Sequence, residues 1–376
     1  MPEGVAVEQR EIGRCTGTGP GPTVIAVAGI HGNEPAGIHA ARRVFAQLEE
    51  TRLPFRGELV VFAGNLAGIR RGVRYLSKDL NRVWSDANLA RLRAGTPQDS
   101  EDREQLELAF AIEAAAARAR GPLHLIDLHT TSATGIPFML FGDTLPQRRF
   151  VSAFPIPAIL GLEEQLDGVL SAYWTRRGFI TAAVEGGRHD DPATAGSLEA
   201  VLWVALAQAG SVDRLRDEVL GAMSLLDSRR SGLPRMIEVL SRRAISPGDQ
   251  FRMEPGFRNI DRARKGQLLA RDRSGEIRAA QEGLVIMPLY QGLGGDGFFW
   301  GREVSGARLR AAAALQRLGL ARLLGLLPGV TRDSLRPGQF LVGAGAARRA
   351  LPIFRLLGYR RVRQHENELI VDREAS

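Results

Sequence analysis

The sequence has little cysteine, and this scarcity excludes several kinds of site. Cys15 is the single cysteine in 376 residues, so an internal disulfide framework and a zinc cluster built from several cysteines are both excluded. A metal site in this chain would have to use histidine and carboxylate ligands. Because the sequence has only six histidines, few combinations of ligands need to be considered.

Long hydrophobic runs are also missing. No segment approaches the roughly 18 uninterrupted apolar residues that span a bilayer, and the opening stretch MPEGVAVEQREIGR lacks the apolar core of a signal peptide. We therefore expect a cytoplasmic protein with no membrane partner. The hydrophobic content of 44% and the charged content of 24% indicate a globular chain, and its length allows two domains.

Positive charge is in excess, but it is not concentrated in one segment. The net charge is +8 at pH 7, a balance that can indicate nucleic-acid binding. The basic residues are almost all arginines, and they are scattered through helical stretches such as ARLRAG, which is typical of a solvated face. We therefore expect no nucleic-acid partner, and the charge is better suited to steering small anionic molecules.

The first half of the chain alternates short apolar runs with helical patterns, which predicts an α/β sheet with covering helices. Four runs predict strands: TVIAVAGI, GELVVFAGN, LHLIDLHT and FITAAVEGG. PAGIHAARRVFAQLEE predicts a helix, and residues 99–120 predict a longer one. The expected inner face of this longer helix comprises Leu106, Ala109, Phe110, Ala114 and Ala117.

The pattern changes near residue 230, where Pro-Gly, Lys-Gly, Ser-Gly and Glu-Gly pairs interrupt short apolar segments and predict β hairpins. The stretch KGQLLARDRSGEIRAAQEGLVIMPL resembles the barrel-sandwich fold of lipoyl and biotinyl carriers, but its tip EGLVIMP has no lysine to carry either cofactor. We therefore divide the chain into residues 1–230, an α/β domain that carries the motifs described next; residues 231–304, a smaller β-rich domain; and residues 305–376, a helical extension with the short strand NELIVD.

Two predicted strands are followed or ended by residues that can bind a metal. His31 and Glu34 stand three residues apart in GIHGNEPAG, and His129 ends the strand that also contains Asp127. Two imidazoles and a carboxylate match catalytic zinc sites, which leave a fourth position to water, and Asp127 could orient His129. Each motif alone is weak, because a His-x-x-Glu pair is common by chance and a histidine at a strand end is often a satisfied polar residue.

Further polar residues could supply the other groups that hydrolysis needs. Glu185 ends an apolar run before two glycines, where a carboxylate could act as the base for a metal-bound water. The alternative is a strand-end glutamate paired with Arg188. The polar stretch RRGVRYLSKDLNRVW contributes Arg74, Asn81 and Arg82. Arginines beside a zinc site can bind a substrate carboxylate or stabilise an oxyanion, although loop arginines are more often only solvated.

Taken in order, the motifs GIHGNEPAG, RYLSKDLNR, DLHT and VEGG resemble the aspartoacylase and succinylglutamate desuccinylase family, relatives of the zinc carboxypeptidases. The resemblance covers roughly residues 20–205, and the β-rich segment after residue 235 is also similar to the family. It implies a zinc-exopeptidase-like mixed sheet flanked by helices, followed by a barrel-sandwich-like domain. It also implies one zinc ion per chain, held by His31, Glu34 and His129.

The same resemblance implies roles for the remaining residues. Glu185 would be the general base, Arg74 would polarise the scissile carbonyl, and Asn81 and Arg82 would hold a substrate carboxylate. Aspartoacylase has a second carboxylate-binding arginine, for which only the pair Arg176–Arg177 stands near the expected place. The specificity for the acyl group therefore stays open.

We expect a zinc-dependent enzyme that hydrolyses the amide bond of an N-acyl amino acid or a similar small anionic amide. The alternative is a carboxypeptidase-like zinc peptidase, which needs an open cleft, whereas a β domain over the cleft would favour small substrates. A binding protein without catalysis is disfavoured, because three metal ligands and a base are all present. Assembly into a homo-oligomer is compatible with these features.

Overall fold

The first 230 residues alternate strands and helices, and the four predicted strands are confirmed. The structure is a computed structural model that describes residues 7–291, 294–333, 336, 338–365 and 368–372. The strands of this part are β1 (Glu11–Thr16), β2 (Gly19–Ala28), β3 (Arg56–Ala63), β4 (Leu123–Thr131), β5 (Phe138–Phe141), β6 (Ala158–Leu160) and β7 (Ile180–Arg188). The helices are α1 (Ala36–Thr51), α2 (Leu66–Arg71), α3 (Asp86–Ala94), α4 (Ser100–Arg118), α5 (Leu145–Val151), α6 (Leu170–Thr175), α7 (Ala193–Ala209) and α8 (Asp217–Arg229).

The central strands β3, β2, β4 and β7 lie side by side and run parallel, which explains their almost continuous apolar sequences. Strand β1 pairs antiparallel with β3, and β5 pairs antiparallel with β7, so the sheet is mixed. The carboxyl ends of parallel strands meet at one edge of a sheet, where such folds build their sites. In this register His129 of β4 lies opposite Glu185 of β7.

The same sheet continues into the β-rich region. Its strands are β8 (Met236–Ala244), β9 (Arg252–Met253), β10 (Ile260–Ala263), β11 (Leu268–Asp272), β12 (Gly275–Arg278), β13 (Gly283–Ile286) and β14 (Asp296–Glu303). Strand β8 pairs with β6, and β14, β13 and β10 follow it, giving eleven strands in all. Strands β9, β11 and β12 form a separate small sheet, and an apolar cluster that includes Leu269, Val285 and Trp300 is buried in this region. The boundary that we propose at residue 230 therefore does not interrupt the sheet.

The last part of the chain contains more strand than the sequence predicts. Its elements are α9 (Gly306–Arg317), β15 (Val330–Arg332), β16 (Gln339–Gly343), α10 (Ala344–Leu356), β17 (Arg361–His365) and β18 (Glu368–Asp372). The four strands form their own antiparallel sheet. Our prediction of a helical extension with one short strand is therefore wrong about the number of strands. Each of these strands has at most five residues, too few for a clear alternation of apolar side chains. Within the described residues, no helix has both the length and the apolarity needed to cross a membrane.

Helix α4 buries a face that differs in part from the predicted one. Phe110 is 51% exposed, although the sequence pattern places it inside. The buried face keeps the predicted Ala109, adds Leu108, Ile112 and Ala115, and carries Glu101 and Glu104 in its first turns. Glu101 accepts hydrogen bonds from the backbone amides of residues 76–77, and Glu104 from those of residues 66–67. Because buried carboxylates need such donors, this face fixes the loop that carries the predicted site arginines.

One buried arginine ties the last part of the chain to the main sheet. The Nε atom of Arg360 donates to Asp143 Oδ2 at 2.6 Å, and its Nη1 atom donates to Glu238 Oε1 at 2.5 Å. Burial opposes the positive charge of Arg360, but the two carboxylates outweigh it and raise the pKa of the guanidinium. Both carboxylates are buried, and each also pairs with a second arginine, Arg148 for Asp143 and Arg302 for Glu238.

We expect Arg360→Ala to lower the free energy of unfolding by about 1–3 kcal/mol, because two buried carboxylates would each lose one charge-assisted hydrogen bond but keep a pairing arginine. Chemical denaturation of the purified variant measures this change. Arg361→Ala is the matched control, since Arg361 binds the exposed carboxylate of Asp167 and such surface pairs contribute about 0–1 kcal/mol. Equal losses in the two variants would show that Arg360 holds no buried charge pair of importance.

Candidate metal centre and active site

The turn after β2 places His31 and Glu34 at the carboxyl edge of the sheet. Gly29 takes a positive φ of 71°, which turns the chain out of the strand. A Cβ atom on Gly32 would lie 2.0 Å from the carbonyl carbon of Gly68, so only glycine allows this close approach to α2. The two glycines therefore explain why the two candidate metal ligands lie on so tight a turn.

His31, Glu34 and His129 form one buried cluster. The Nδ1 atom of His31 lies 2.9 Å from Glu34 Oε1, and the Nδ1 atom of His129 lies 3.2 Å from Glu34 Oε2. One ligand atom from each residue lies within 4.8 Å of the other two. This spacing is close to what a single ion with bonds of about 2.0–2.2 Å requires.

Each imidazole also contacts a second carboxylate through its other nitrogen. His129 Nε2 lies 2.8 Å from Asp127 Oδ2, the contact expected from the sequence, and His31 Nε2 lies 3.0 Å from Asp79 Oδ1. Histidines that bind metals commonly have a carboxylate partner on the second nitrogen, which orients the ring. The donor set therefore fits zinc. The Nδ1 atoms of both imidazoles face Glu34, and their Nε2 atoms contact Asp79 and Asp127.

The charges of the cluster favour a cation at its centre. Burial alone would raise the pKa of Glu34, but His31 and His129 outweigh it and hold that pKa well below its usual value. Burial opposes protonation of His129, but Asp127 and Glu34 outweigh it and raise the pKa of the imidazole well above its usual value. A divalent ion would replace the protons that these carboxylates attract.

Glu185 lies next to this cluster, on β7 opposite His129. Its side chain is 5% exposed, and its Oε2 atom has no hydrogen-bond partner within the described part of the chain. Burial raises the pKa of Glu185 to about 8, an effect that His129 and Arg74 oppose. Arg188, its alternative partner in the sequence, instead binds Asp190. The carboxyl group of Glu185 is therefore free of the ion pair considered for it.

Arg74 is a cation held beside the cluster by two carboxylates. Its Nη2 atom donates to Asp79 Oδ2 at 2.9 Å, and its Nη1 atom lies 3.6 Å from Glu34 Oε1. Burial opposes the charge of Arg74, but Asp79 and Glu34 outweigh it and raise its pKa. Asp79 therefore links Arg74 to His31, a role that we did not predict although the residue lies in the quoted motif.

Asn81 is engaged by neighbouring protein groups. Its Oδ1 atom accepts a hydrogen bond from the backbone amide of Leu170 at 2.8 Å, and its Nδ2 atom lies 3.3 Å from His129 Nε2. The same Nδ2 atom lies 3.5 Å from Asp127 Oδ2. Asn81 is thus placed to hold His129 and Asp127 as well as to line the cavity.

Arg82 meets a second arginine at one carboxylate. Arg82 Nη2 lies 3.5 Å from Asp296 Oδ2 of β14, and Arg242 of β8 donates to the other oxygen of Asp296. No sequence signal connected these residues, because Arg242 and Asp296 lie far along the chain in another region. The pair Arg176–Arg177, considered from the sequence, is not among the described residues that line the cavity, and Arg177 binds Asp86.

The structure brings all seven predicted site residues to one cavity of about 470 Å³. These residues are His31, Glu34, Arg74, Asn81, Arg82, His129 and Glu185. The β-rich region contributes another part of the wall, which comprises Arg242, Pro247, Asn259, Met287, Pro288, Leu289, Gln291, Asp296 and Phe299. The cavity therefore lies between the carboxyl edge of the parallel strands and the β-rich region.

This arrangement is that of an α/β enzyme whose active site lies at the edge of a mixed sheet. Residues 20–198 match the model of the succinylglutamate desuccinylase/aspartoacylase catalytic domain. The chain therefore resembles the succinylglutamate desuccinylase/aspartoacylase family over this catalytic domain, as its motifs indicated, and this is a family of amide-hydrolysing enzymes.

Known proteins agree with this assignment. The chain is 29% identical over 278 residues to the succinylglutamate desuccinylase of Burkholderia thailandensis. The aligned segment covers 70% of this chain and 75% of that protein. It is 36% identical over 115 residues to the enzyme of the same name from Burkholderia mallei, but this covers only 30% of the chain and 32% of that protein. The fold is similar to that of a succinylglutamate desuccinylase/aspartoacylase from Rhodobacter sphaeroides, with a TM-score of 0.56 at 16% identity, covering 78% of this chain and 88% of that one.

Proposed function

We propose that this protein is a zinc-dependent hydrolase that removes the acyl group from an N-acyl amino acid or a similar small anionic amide. The observation that carries the proposal is the buried cluster of His31, Glu34 and His129 with Glu185 beside it. Two imidazoles and one carboxylate, without any cysteine, are a donor set that catalytic zinc sites use. Similarity to the catalytic domain of a family of amide hydrolases supports the reaction type.

Zinc held by these three side chains would polarise the amide carbonyl and lower the pKa of water to about 7. The remaining steps belong to side chains of the protein. Glu185 would accept the proton of the attacking water at its unpartnered Oε2 atom and pass it to the leaving nitrogen. Arg74, held in place by Asp79, would stabilise the negative charge that develops on the carbonyl oxygen.

Arg82 would bind the carboxylate of the substrate. A guanidinium group has five N–H donors in a plane, and the contact of Arg82 with Asp296 is long at 3.5 Å, so donors remain for a second carboxylate. Arg242 shares Asp296 with Arg82, and we assign it a supporting part in the same contact. Asn81, whose amide already serves Leu170 and His129, would act mainly by positioning.

A small substrate is favoured over a peptide by the wall that the β-rich region contributes. Met287, Leu289 and Phe299 belong to this region and line one side of the cavity. A carboxypeptidase would need an open cleft there. A relationship to zinc exopeptidases, and the peptidase alternative that it suggests, rests on the sequence motifs alone.

Hydrolysis of a panel of N-acyl amino acids tests the proposal, and Arg82→Ala tests the place of the carboxylate. Because this contact forms in the ground state, the variant should chiefly raise KM, by about 10-fold or more. Masking the substrate carboxylate as an amide should weaken the wild type in the same way and add little in the variant, since both changes remove one contact.

Arg177→Ala is the matched control for this experiment, since Arg177 binds Asp86 away from the cavity. It should keep the wild-type KM and the full effect of masking. If masking weakens wild type and Arg82→Ala equally, Arg82 does not bind that carboxylate, and the peptidase alternative gains support.

A further inference from the structure

Glu163 is a buried carboxyl group in the cavity wall that the proposed reaction does not use. It lies in the helical turn Glu163–Gln165 that follows β6, and its side chain is 3% exposed. Ser171 Oγ donates to its Oε1 atom at 2.5 Å. Its Oε2 atom has no hydrogen-bond partner among the described residues. A buried carboxyl oxygen facing a cavity without a partner needs an explanation.

The arginines of the cavity pair with carboxylates other than Glu163. Arg74 binds Asp79, and both Arg82 and Arg242 bind Asp296. In the described part of the chain, no arginine, lysine or histidine forms an ion pair with Glu163. The surroundings of Glu163 are instead apolar, with Leu162, Leu166 and Val169 on the same cavity wall.

The charges that shift the pKa of Glu163 are negative. Burial raises the pKa of Glu163 to about 8, and the negative charges of Glu164 and Asp127 raise it further, whereas the hydrogen bond from Ser171 opposes the shift. An anionic group of a substrate would be repelled from this place, and an ammonium group would be attracted to it. A bound ammonium ion would also supply the missing partner for Oε2.

We propose that Glu163 selects substrates that carry an ammonium group, namely N-acyl derivatives of amino acids with a second amine. This inference rests on the proposed function and narrows it. In such a substrate the carboxylate binds to Arg82 and the ammonium group binds to Glu163, so one cavity recognises both charges. Among the described residues, no arginine pairs with Glu163, so a second carboxylate in the acyl group of a substrate would have no cation to bind at this place.

The test compares two substrates of equal shape, N-acetylornithine and N-acetylnorleucine, in which an ammonium group replaces a methyl group. The wild-type protein loaded with zinc should prefer N-acetylornithine by about 10- to 100-fold in kcat/KM, the range of a buried charge-assisted contact. Glu163→Gln keeps the shape and the contact with Ser171, and it should remove most of this preference through KM. Hydrolysis of N-acetylnorleucine should change little.

Three other outcomes would overturn the inference. Equal hydrolysis of both substrates by the wild type, or the same preference in Glu163→Gln, would show that Glu163 does not bind the ammonium group. A preference for N-succinylnorleucine over N-acetylnorleucine that Glu163→Gln abolishes would make Glu163 a donor to an acyl carboxylate. In each case the proposed function stands, whereas failure of the wild type to hydrolyse any of these amides would remove the proposed function itself. Equal hydrolysis of the two substrates by the wild type would overturn the inference even if the variant does not fold.

Discussion

Replacing Glu185 with glutamine should lower kcat by at least about 10²-fold while the metal content of the protein stays unchanged. The carboxyl group lies beside His129 and has an unpartnered oxygen, so it can accept and return a proton. Glutamine has nearly the same shape but cannot carry that proton. Steady-state kinetics on an N-acyl amino acid, together with elemental analysis of the same sample, measure both quantities.

Glu199→Gln is the control for this variant, since Glu199 binds Gln47 on the far surface between α1 and α7. Its kcat should equal that of the wild type. Near-normal turnover of Glu185→Gln would assign the base to another residue. Loss of metal would instead make Glu185 a ligand, because a base that only moves protons does not hold the ion.

Arg74→Ala should lower kcat by about 10² to 10³-fold, the effect of losing one donor to an oxyanion. The charge that Arg74 would stabilise develops only in the transition state, so KM should change much less than kcat. Arg74 also binds Asp79, which contacts His31, so the metal content must be measured with the kinetics. Arg91→Ala, at a guanidinium that binds Asp102 outside the cavity, is the matched control.

Unchanged kcat with a raised KM would contradict the proposed role of Arg74 and make it a binding residue. Loss of metal in Arg74→Ala would show that its main effect passes through Asp79 and His31. These results are distinguishable from a stabilised oxyanion, which predicts an intact metal site and a low kcat.

The parts of the site that the sequence predicts are those that local signals describe. A parallel strand buried on both faces has a continuous apolar sequence, and its end is marked by the first polar residues. His31, His129 and Glu185 are found in this way, and the rule that parallel strands share one carboxyl edge then brings them together. The roles of the loop arginines Arg74 and Arg82 could be predicted only from the order of several motifs along the chain.

The parts that were missed depend on contacts between distant segments. Arg242 and Asp296 lie near Arg82 only because β8 and β14 extend the main sheet. No short sequence motif predicts this extension. Helix α4 was assigned a partly wrong inner face, because it buries Leu108, Ile112 and Ala115 rather than Phe110. Its first turns also bury Glu101 and Glu104, which bind loop amides. Apolar periodicity cannot detect buried glutamates of this kind.

The most direct test of the central claim is the hydrolysis of an N-acyl amino acid by protein that has been stripped with a chelator and then titrated with zinc. We predict that activity is lost on stripping and returns in proportion to added zinc, up to about one ion per chain. His129→Ala should not recover at the same zinc concentrations. Full activity of the stripped protein, with no bound metal by elemental analysis, would contradict the account.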